Sequence, residues 1–247
     1  MQGIERIIKI LDSFSLDEPE LTLKELTNKT GLPKPTVYRI AEALNKVNIL
    51  SKDDNVSKYR IGVKLFELGS LYLETLELRK LAFPEIEKLS KYTEESIHMG
   101  VLDGNEVTSI EGLGSTHNLQ AKLWIGKRSP IYCTSIGKAI LAFLPEKEQE
   151  EILTTIEFKR YTKNTITDKK NLKKELESIR RQGFALDNEE HDEGIMCVGA
   201  PIFNNKGEVV ASISISGPKI RMKEQKLEKY KKLLMDSVKR ISDKLGK

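Results

Sequence analysis

The chain has 247 residues, with 41 Lys and Arg against 37 Asp and Glu, so its net charge is only +4. That length is enough for two domains with separate cores, and no apolar run approaches the roughly 20 residues that cross a bilayer. The first six residues lack the layout of a signal peptide, and Cys133 and Cys197 lack metal-ligand spacing, so we expect a cytoplasmic protein without a cofactor.

The first predicted element is an amphipathic helix near the N-terminus. Its apolar residues should pack on the elements that follow, and they are Ile4, Ile7, Ile8, Leu11 and Phe14. A second, shorter helix is predicted after Thr22, which forms the pattern of a capping box with Glu25. Gly31 then supplies the residue type that commonly ends a helix.

A third helix is predicted around Pro35, whose missing N–H costs nothing in a first turn. One side of it is apolar at the spacing of a buried face, and the residues are Val37, Ile40, Ala41 and Leu44. The other side is free to enter a DNA major groove, and it carries Tyr38, Arg39, Glu42 and Lys46.

A β-hairpin, the wing of a winged helix-turn-helix, is predicted next. Two short segments, residues 50–52 and 58–61, flank the polar turn Asp53-Asp54-Asn55. Residues 24–64 also hold nine Lys and Arg against four Asp and Glu, a net charge of +5. Phosphates attract such charge, so helix cap, turn, wing and charge together predict DNA binding. The alternative is a solvated pair of helices in an ordinary domain.

Residues 63–80 are predicted to form one helix that links two domains. Its apolar residues spread around most of its circumference, and they are Leu65, Phe66, Leu68, Leu71, Tyr72, Leu73, Leu76 and Leu78. A helix that is apolar on several sides needs more than one neighbour to cover it. We therefore expect a second subunit against it. The alternative is an interior helix of a single fused domain.

The rest of the chain predicts an α+β domain with an antiparallel sheet. Its predicted hairpins are residues 97–112, around Asp103-Gly104-Asn105, and residues 194–216, and a third strand is predicted at residues 118–124. Its predicted helices cover residues 84–92, 134–144 and 168–182 and the stretch from about residue 222. Thr167 is the expected cap of the helix at 168–182, and Gly183 is its expected end.

Polar residues on two of these elements predict a small-molecule site. Ser214 and Ser216 alternate along one strand, so their side chains share a face. Ser135 lies at the start of a helix, where free N–H groups favour an anion. An acid ligand needs such convergent donors in a mostly apolar cup. The alternative for the serines is plain strand packing.

Three other classes of function have weaker support. An enzyme could combine Cys133 or Cys197 with His98 or His191 and Asp187 as a nucleophile and its base. A metal site could use His98, Asp187 and Cys197. No spacing supports either arrangement. The Lys-rich terminal helix could be a basic interaction module, but the solvated face of an amphipathic helix accounts for it.

Ordered motifs along nearly the whole chain resemble the IclR family of bacterial transcriptional regulators. In the first part they are GLPK at residues 31–34 and TVYR at 36–39. In the second part they are PIY at 130–132, GKA at 137–139, RQGFA at 181–185, DNEE at 187–190, GIMC at 194–197, APIF at 200–203 and SISGP at 214–218. Several motifs in family order are more specific than any one of them.

This resemblance implies a fold and a set of partners. The fold is an N-terminal all-α winged helix-turn-helix with a small β-wing at residues 1–62, a linker helix at 63–80, and an α+β GAF-like domain with an antiparallel sheet at 81–247. The second domain would bind a small effector, often an organic, sugar or aromatic acid. Double-stranded operator DNA and further copies of the chain, as a dimer or tetramer, are the other expected partners, and no enzyme activity or membrane contact is implied.

The resemblance also assigns candidate site residues. The DNA contacts would be Lys34, Thr36, Tyr38, Arg39, Lys58 and Arg60. The effector contacts would be Ser135, Ile136, Asp187, Cys197, Ser214 and Ser216. Cys197 could instead be a small buried hydrophobe. The sequence departs from the family pattern at two places. Pro35 replaces a small hydroxyl residue that could donate to a phosphate. Ser135 and Ile136 are bulkier than the residues common at their positions, so the cavity wall is expected to restrict the size of the ligand.

Overall fold

The computed structural model describes residues 2–53, 55–122 and 124–245. Internal contacts divide the chain into two compact units, Met1–Leu76 and Glu77–Lys247. None of the described helices is long and apolar enough to cross a bilayer. The first unit contains, in chain order, α1 (Gln2–Leu11), β1 (Glu20–Thr22), α2 (Leu23–Thr30), α3 (Lys34–Lys46), β2 (Leu50–Asp53), β3 (Lys58–Ile61) and α4 (Val63–Thr75).

The predicted ends of α2 are confirmed. Glu25 N donates to Thr22 Oγ1 at 3.3 Å, while Thr22 N donates to Glu25 Oε2 at 2.7 Å, which is a complete capping box. At the other end Gly31 adopts a left-handed conformation with φ +66°, and its N–H donates to the Thr27 carbonyl. The turn between α2 and α3 therefore follows from local chemistry.

Helix α1 and the residues after it pack on this unit through part of the predicted apolar set, together with Ile10. Ile10 is fully buried, while Ile4 and Ile8 are exposed. Ile7, Leu11 and Phe14 pack against the same apolar cluster as Ile10. The prediction is therefore confirmed for Ile7, Leu11 and Phe14 and wrong for Ile4 and Ile8. Residues 7, 10, 11 and 14 follow the i, i+3, i+4, i+7 spacing of one helix face.

The predicted wing is confirmed and gains a third strand. β2 pairs antiparallel with β3, with Leu50 opposite Ile61. β1 pairs with the other edge of β3, with Leu21 opposite Tyr59, so the strand order is β1-β3-β2. Asp54, in the predicted turn, lies outside the described residues.

The second unit contains a six-stranded antiparallel sheet and five helices among its described residues. Its elements are α5 (Glu77–Thr93), β4 (Ser96–Asp103), β5 (Glu106–Leu113), β6 (Arg128–Pro130), α6 (Ser135–Leu141), α7 (Glu146–Thr155), α8 (Lys169–Gln182), β7 (Ala185–Asn188), β8 (Ile195–Phe203), β9 (Val209–Pro218) and α9 (Glu224–Leu245). The strand order is β6-β5-β4-β9-β8-β7. The predicted α+β class and both predicted hairpins are confirmed.

Helices cover both faces of this sheet. α5 packs on β4 and β5 and α9 on β8 and β9, whereas α6 packs on β8, β9 and β4, with α8 behind it. Successive residues of β9 alternate between these layers, because strand side chains point to opposite faces. Ile213 and Ile215 are fully buried on the α5 and α9 side, and Ser212, Ser214 and Ser216 face α6.

Three predictions of helix boundaries and one prediction of a strand are wrong. The helix predicted over residues 63–80 ends at Thr75, and Leu76 is extended (φ −80°, ψ 97°) where the two compact units divide. Pro84 does not open a helix but lies inside α5, so α5 lacks the one backbone hydrogen bond that an N–H at this position would donate. The cap of α8 is Asp168 rather than Thr167, since Asp168 Oδ1 accepts the Asn171 N–H at 2.9 Å.

The predicted strand at residues 118–124 is the fourth error. The described residues of this segment are irregular, and Leu123 lies outside the described residues. Side chains, not a neighbouring strand, satisfy the backbone here: Ser96 Oγ donates to the Ala121 carbonyl at 2.9 Å, and Arg221 Nη2 donates to the Leu119 carbonyl at 2.8 Å. The strand that pairs with β5 is β6. The predicted partition at residues 62 and 80 stays a prediction.

Candidate functional site

Helix α3 offers an exposed polar face in the first unit. Val37, Ala41 and Leu44 are buried in the core, as the sequence predicts. On the other side Lys34, Tyr38 and Arg39 are exposed, while Thr36 is half-buried near the start of the helix. A helix with a fixed apolar side and free basic and aromatic residues opposite fits the major groove.

Glu42 is not free, although it lies on the predicted DNA-facing side. It accepts hydrogen bonds from Tyr59 Oη at 2.7 Å and from Lys52 Nζ at 3.0 Å. These bonds keep the pKa of Glu42 below its usual value, and burial together with Glu42 raises the pKa of Tyr59 to about 12. Glu42 therefore fastens α3 to β2 and β3.

Strand β3 carries the two candidate wing contacts. Tyr59 is buried, and because strand side chains alternate, Lys58 and Arg60 point to the opposite face. Arg60 is exposed and Lys58 is half-buried. The capping-box network lies nearby, since Thr22 of β1 is the cross-strand partner of Lys58.

A cavity of about 400 Å³ lies between the sheet and α6 in the second unit. All six of the predicted effector contacts line it: Ser135, Ile136, Asp187, Cys197, Ser214 and Ser216. Such a volume is within the range of small-molecule sites. The structure thus brings together residues that are up to 81 positions apart in the chain.

The floor of the cavity is a row of polar side chains on neighbouring strands. Cys197 of β8 is opposite Ser216 of β9, and Ser214 is opposite His98 of β4. Ser214 Oγ and Ser216 Oγ lie 3.2 Å apart, so one hydroxyl donates to the other. Asp187 of β7 extends the row beyond Cys197. Directly opposed side chains approach closely enough to contact one ligand together.

Glycines let α6 pack closely against β8 and against the segment that precedes the helix. A Cβ on Gly199 would lie 2.6 Å from the Ser135 carbonyl carbon and oxygen, and one on Gly137 would lie 2.4 Å from the Ile131 carbonyl oxygen. Thr134 caps the helix, because its Oγ1 accepts the Gly137 N–H at 3.2 Å. Ser135 and Ile136 are thereby placed over β8 as the roof of the cavity.

Burial dominates the electrostatics at the Asp187 end. Burial raises the pKa of Asp187 to about 6, although Asp187 Oδ1 accepts the Glu190 N–H at 2.7 Å. Burial also raises the pKa of the Cys197 thiol well above its usual value. A protonated, buried thiol is a weak nucleophile, so the alternative of an activated cysteine is not supported. Among the described residues, no three His, Cys, Asp or Glu side chains are grouped to hold a metal ion.

Other residues line the cavity that the sequence reasoning did not assign to it, and the ionisable ones include His98, Lys127, His191 and Asp192. His98 Nε2 is buried and has no hydrogen-bond partner in the described structure. Burial and the charge of Lys127 lower the pKa of His98 to about 4, so its ring is neutral near pH 7. Only the strand register, with His98 opposite Ser214, could have identified it beforehand.

Comparisons with known protein families and curated proteins give consistent results. The family described as "Bacterial transcriptional regulator IclR C-terminal" matches residues 70–243, and the "IclR helix-turn-helix domain" matches residues 3–54. The chain is 35% identical over 246 residues to the HTH-type transcriptional regulator KdgR of Escherichia coli K12, covering 100% of this chain and 93% of that protein.

Solved structures agree with these matches. The crystal structure of Thermotoga maritima IclR is 35% identical, with a TM-score of 0.79 and complete coverage of both chains. An IclR homologue from Microbacterium hydrocarbonoxydans, complexed with 4-hydroxybenzoate, is 25% identical, with a TM-score of 0.84 and 98% coverage of each chain. Two family matches and a relative that spans the whole chain leave one assignment: the chain belongs to the IclR family of bacterial transcriptional regulators.

Proposed function

We propose that this protein regulates transcription in the cytoplasm by binding operator DNA with an affinity that a small organic, sugar or aromatic acid controls. The observation that supports effector binding most strongly is that one cavity is lined by residues from four elements of the second unit, namely Ser135, Asp187, Cys197, Ser214 and Ser216. The IclR homologue from Microbacterium hydrocarbonoxydans forms a complex with 4-hydroxybenzoate, an aromatic acid. We retain residues 1–62, 63–80 and 81–247 as DNA-binding, linker and effector segments.

In this proposal the first unit supplies the DNA contacts. Tyr38 and Arg39, in the middle of α3, would face base edges, and Lys34 and Thr36, near its start, would hold phosphate. Lys58 and Arg60 would meet the flanking backbone from the wing. The exposure of Lys34, Tyr38, Arg39 and Arg60 supports these roles, because nothing in the core depends on their side chains.

In the second unit the proposed effector contacts divide by chemistry. Ser214 and Ser216 offer hydroxyls that both donate and accept, and Asp187 offers an acceptor to a ligand hydroxyl. Ile136, with Val107, supplies apolar surface for the body of the ligand. Cys197 fills the floor between Asp187 and Ser216.

We further propose that the protein acts as a dimer or tetramer. Helix α4 has no buried residue among its 13, and its exposed apolar side chains include Val63, Phe66, Leu68, Leu71 and Tyr72. An exposed apolar stripe of this size marks an interaction site. A monomer in sedimentation at micromolar concentration, both free and on DNA, would contradict this proposal.

The decisive experiment measures operator binding with and without acids in the double variant Ser214→Ala, Ser216→Ala. The ratio of the two operator affinities should approach one, since allosteric coupling requires the ligand to distinguish two states. Ser212→Ala is the matched control: its hydroxyl, on the same face of β9, donates to the Ala200 carbonyl at 2.9 Å and does not line the cavity. A normal effector response in the double variant would place the pocket elsewhere.

A further inference from the structure

Building on the proposed function, we infer that Lys127 binds the carboxylate of the effector and that the effector carries a hydroxyl group, which Asp187 accepts at the other end of the cavity. The ligand class is then an elongated hydroxy acid. Lys127 is not among the residues that the motifs of the sequence identify.

The backbone around Lys127 fixes its side chain over the cavity. Ser109 N donates to the Lys127 carbonyl at 2.9 Å, and Gly126 N donates to the Ser109 carbonyl at 2.7 Å. The adjacent pair in the sheet is Thr108 with Arg128, so Lys127 lies opposite Ser109, immediately before β6 begins. Alternation turns Arg128 away and points Lys127 and Ser129 to the cavity face. Both residues line the cavity, as Ser109 does.

Lys127 has the properties of an anion-binding residue. It is half-buried, and none of the ion pairs found among the described residues includes its ammonium group, although Asp192 is near enough for that charge to lower its pKa. Its charge nevertheless acts on His98, Cys197 and Asp192, all of which line the same cavity. Lys122 also lines the cavity but is exposed, so water weakens its attraction for an anion.

His98 completes this end of the cavity. Its ring lies opposite Ser214 on the floor, and its buried Nε2 lacks a partner among the described residues. An unsatisfied buried polar atom is costly unless a ligand or water meets it. A neutral imidazole can donate one hydrogen bond and accept another, so it can donate to the carboxylate that Lys127 holds.

The opposite end of the cavity disfavours a carboxylate. Asp187 is buried on β7, which forms the edge of the sheet opposite β6. A ligand carboxylate beside Asp187 would place two like charges in a poorly hydrated site, which is unfavourable. A ligand hydroxyl instead donates to Asp187, whose Oδ1 accepts one backbone N–H and whose carboxylate has further lone pairs.

The test compares acids with their neutral and deoxy counterparts on purified full-length protein. The probes are 4-hydroxybenzoate and gluconate, their amides, and benzoate and hexanoate as acids without the hydroxyl. Ligand binding to the native state raises the thermal midpoint, so thermal shift ranks the panel, and calorimetry gives affinities. The variants are Lys127→Met and Lys127→Arg, and Lys206→Met, in the exposed turn between β8 and β9, is the matched control.

We expect a hydroxy acid to bind the wild type and Lys206→Met equally, and Lys127→Met about 10- to 100-fold more weakly, the range for a hydrogen bond to a charged group. Lys127→Arg should keep most of the affinity, and added salt should weaken binding to the wild type more than to Lys127→Met. The amides and the deoxy acids should bind more weakly than the hydroxy acids.

Equal binding of an acid to the wild type and Lys127→Met would overturn the inference, as would amides or deoxy acids that bind as tightly as the hydroxy acids. A panel with no binder would also overturn it. In each of these cases the proposed function is judged separately, by operator binding and by the serine variants of β9. Loss of operator binding by the wild type itself would instead refute the proposed function.

Discussion

The ammonium group of Lys138 lies 2.5 Å from Glu190 Oε1, in the interior of the second unit. The Lys138 side chain is fully buried and that of Glu190 nearly so. A second carboxylate, Glu175 of α8, lies 3.1 Å from the same nitrogen. Because Lys138 belongs to α6 and Glu190 follows β7, this ion pair connects two walls of the candidate effector cavity.

We predict that Lys138→Met destabilises the protein by about 3–5 kcal/mol, because it removes the cation that compensates the buried Glu190, which must then stay unpaired or take up a proton. Urea unfolding followed by circular dichroism measures the loss. The double variant Lys138→Met, Glu190→Gln should lose less than the sum of the single variants, since the two sites interact. Lys88→Met is the control: Lys88 lies 2.8 Å from Glu85 but is mostly exposed, and Arg240 stays bound to Glu85, so we expect less than about 1 kcal/mol. Equal losses in Lys138→Met and Lys88→Met would contradict the role given to the buried pair.

The titration of Glu190 should make the free energy of unfolding depend on pH. Burial raises its pKa from 4.5 to about 7 despite the attraction of Lys138. Between these values the folded protein keeps a proton that the unfolded chain has already released, so this group lowers the free energy of unfolding as the pH rises. Wild-type stability relative to Glu190→Gln should therefore fall between pH 4.5 and pH 7, by at most about 1.4 kcal/mol per pH unit. A relative stability that rises over this interval would mean that the ion pair outweighs burial.

Gly199→Ala should destabilise the second unit by about 1–3 kcal/mol, the usual cost of overpacking. The added Cβ would lie 2.6 Å from backbone atoms of Ser135 and 3.0 Å from Ile136 N, none of which can rotate away. Thermal unfolding gives the change. Gly114→Ala is the control, because its Cβ would meet only the flexible end of Gln120 at 3.4 Å. A wild-type midpoint in Gly199→Ala would show that α6 can shift away from β8 at no cost.

Arg39→Ala should weaken operator binding by about 1–3 kcal/mol if Arg39 contacts a base edge, with its largest effect at one position of the operator. If Arg39 holds phosphate instead, the loss should be uniform across sequences and the salt dependence should become shallower. Gel-shift titrations on operator and mutated operators distinguish these results. Lys91→Ala removes one exposed charge from α5 and serves as the control. Unchanged operator affinity in a normally folded Arg39→Ala would refute this orientation of α3.

Local chemistry accounts for the parts of the fold that sequence reasoning predicted. Short-range contacts determine the start of α2, at the capping box of Thr22 and Glu25, and the ends of α2 and α8, at the left-handed Gly31 and Gly183. These helix ends could therefore be predicted from the sequence. The turn at Asp103-Gly104-Asn105 likewise defines the hairpin of β4 and β5, with Gly104 at φ +63°. Motif order then supplied the six cavity residues, which spacing alone could not have brought together.

The errors arise where tertiary contacts decide the structure. Residues 118–124 have the composition of a strand, but Ser96 and Arg221 bind their carbonyls from distant elements. Glu42 has the position of a DNA contact, but Tyr59 and Lys52 occupy its carboxylate. His98 and Lys127 reach the cavity through strand register across β4, β5 and β6, which no single segment encodes.

Because successive side chains of β9 point to opposite faces of the sheet, substitutions that affect the cavity and substitutions that affect the core fall at different positions. Ile213 and Ile215 support the layer under α5 and α9, while Ser214 and Ser216 face the cavity. Substitutions at the serines can therefore alter which molecule is recognised without removing apolar volume from the opposite layer. Within one ten-residue strand, substitutions at positions 214 and 216 can therefore change the effector to which such a regulator responds during evolution, while unchanged residues at positions 213 and 215 maintain the stability of the fold.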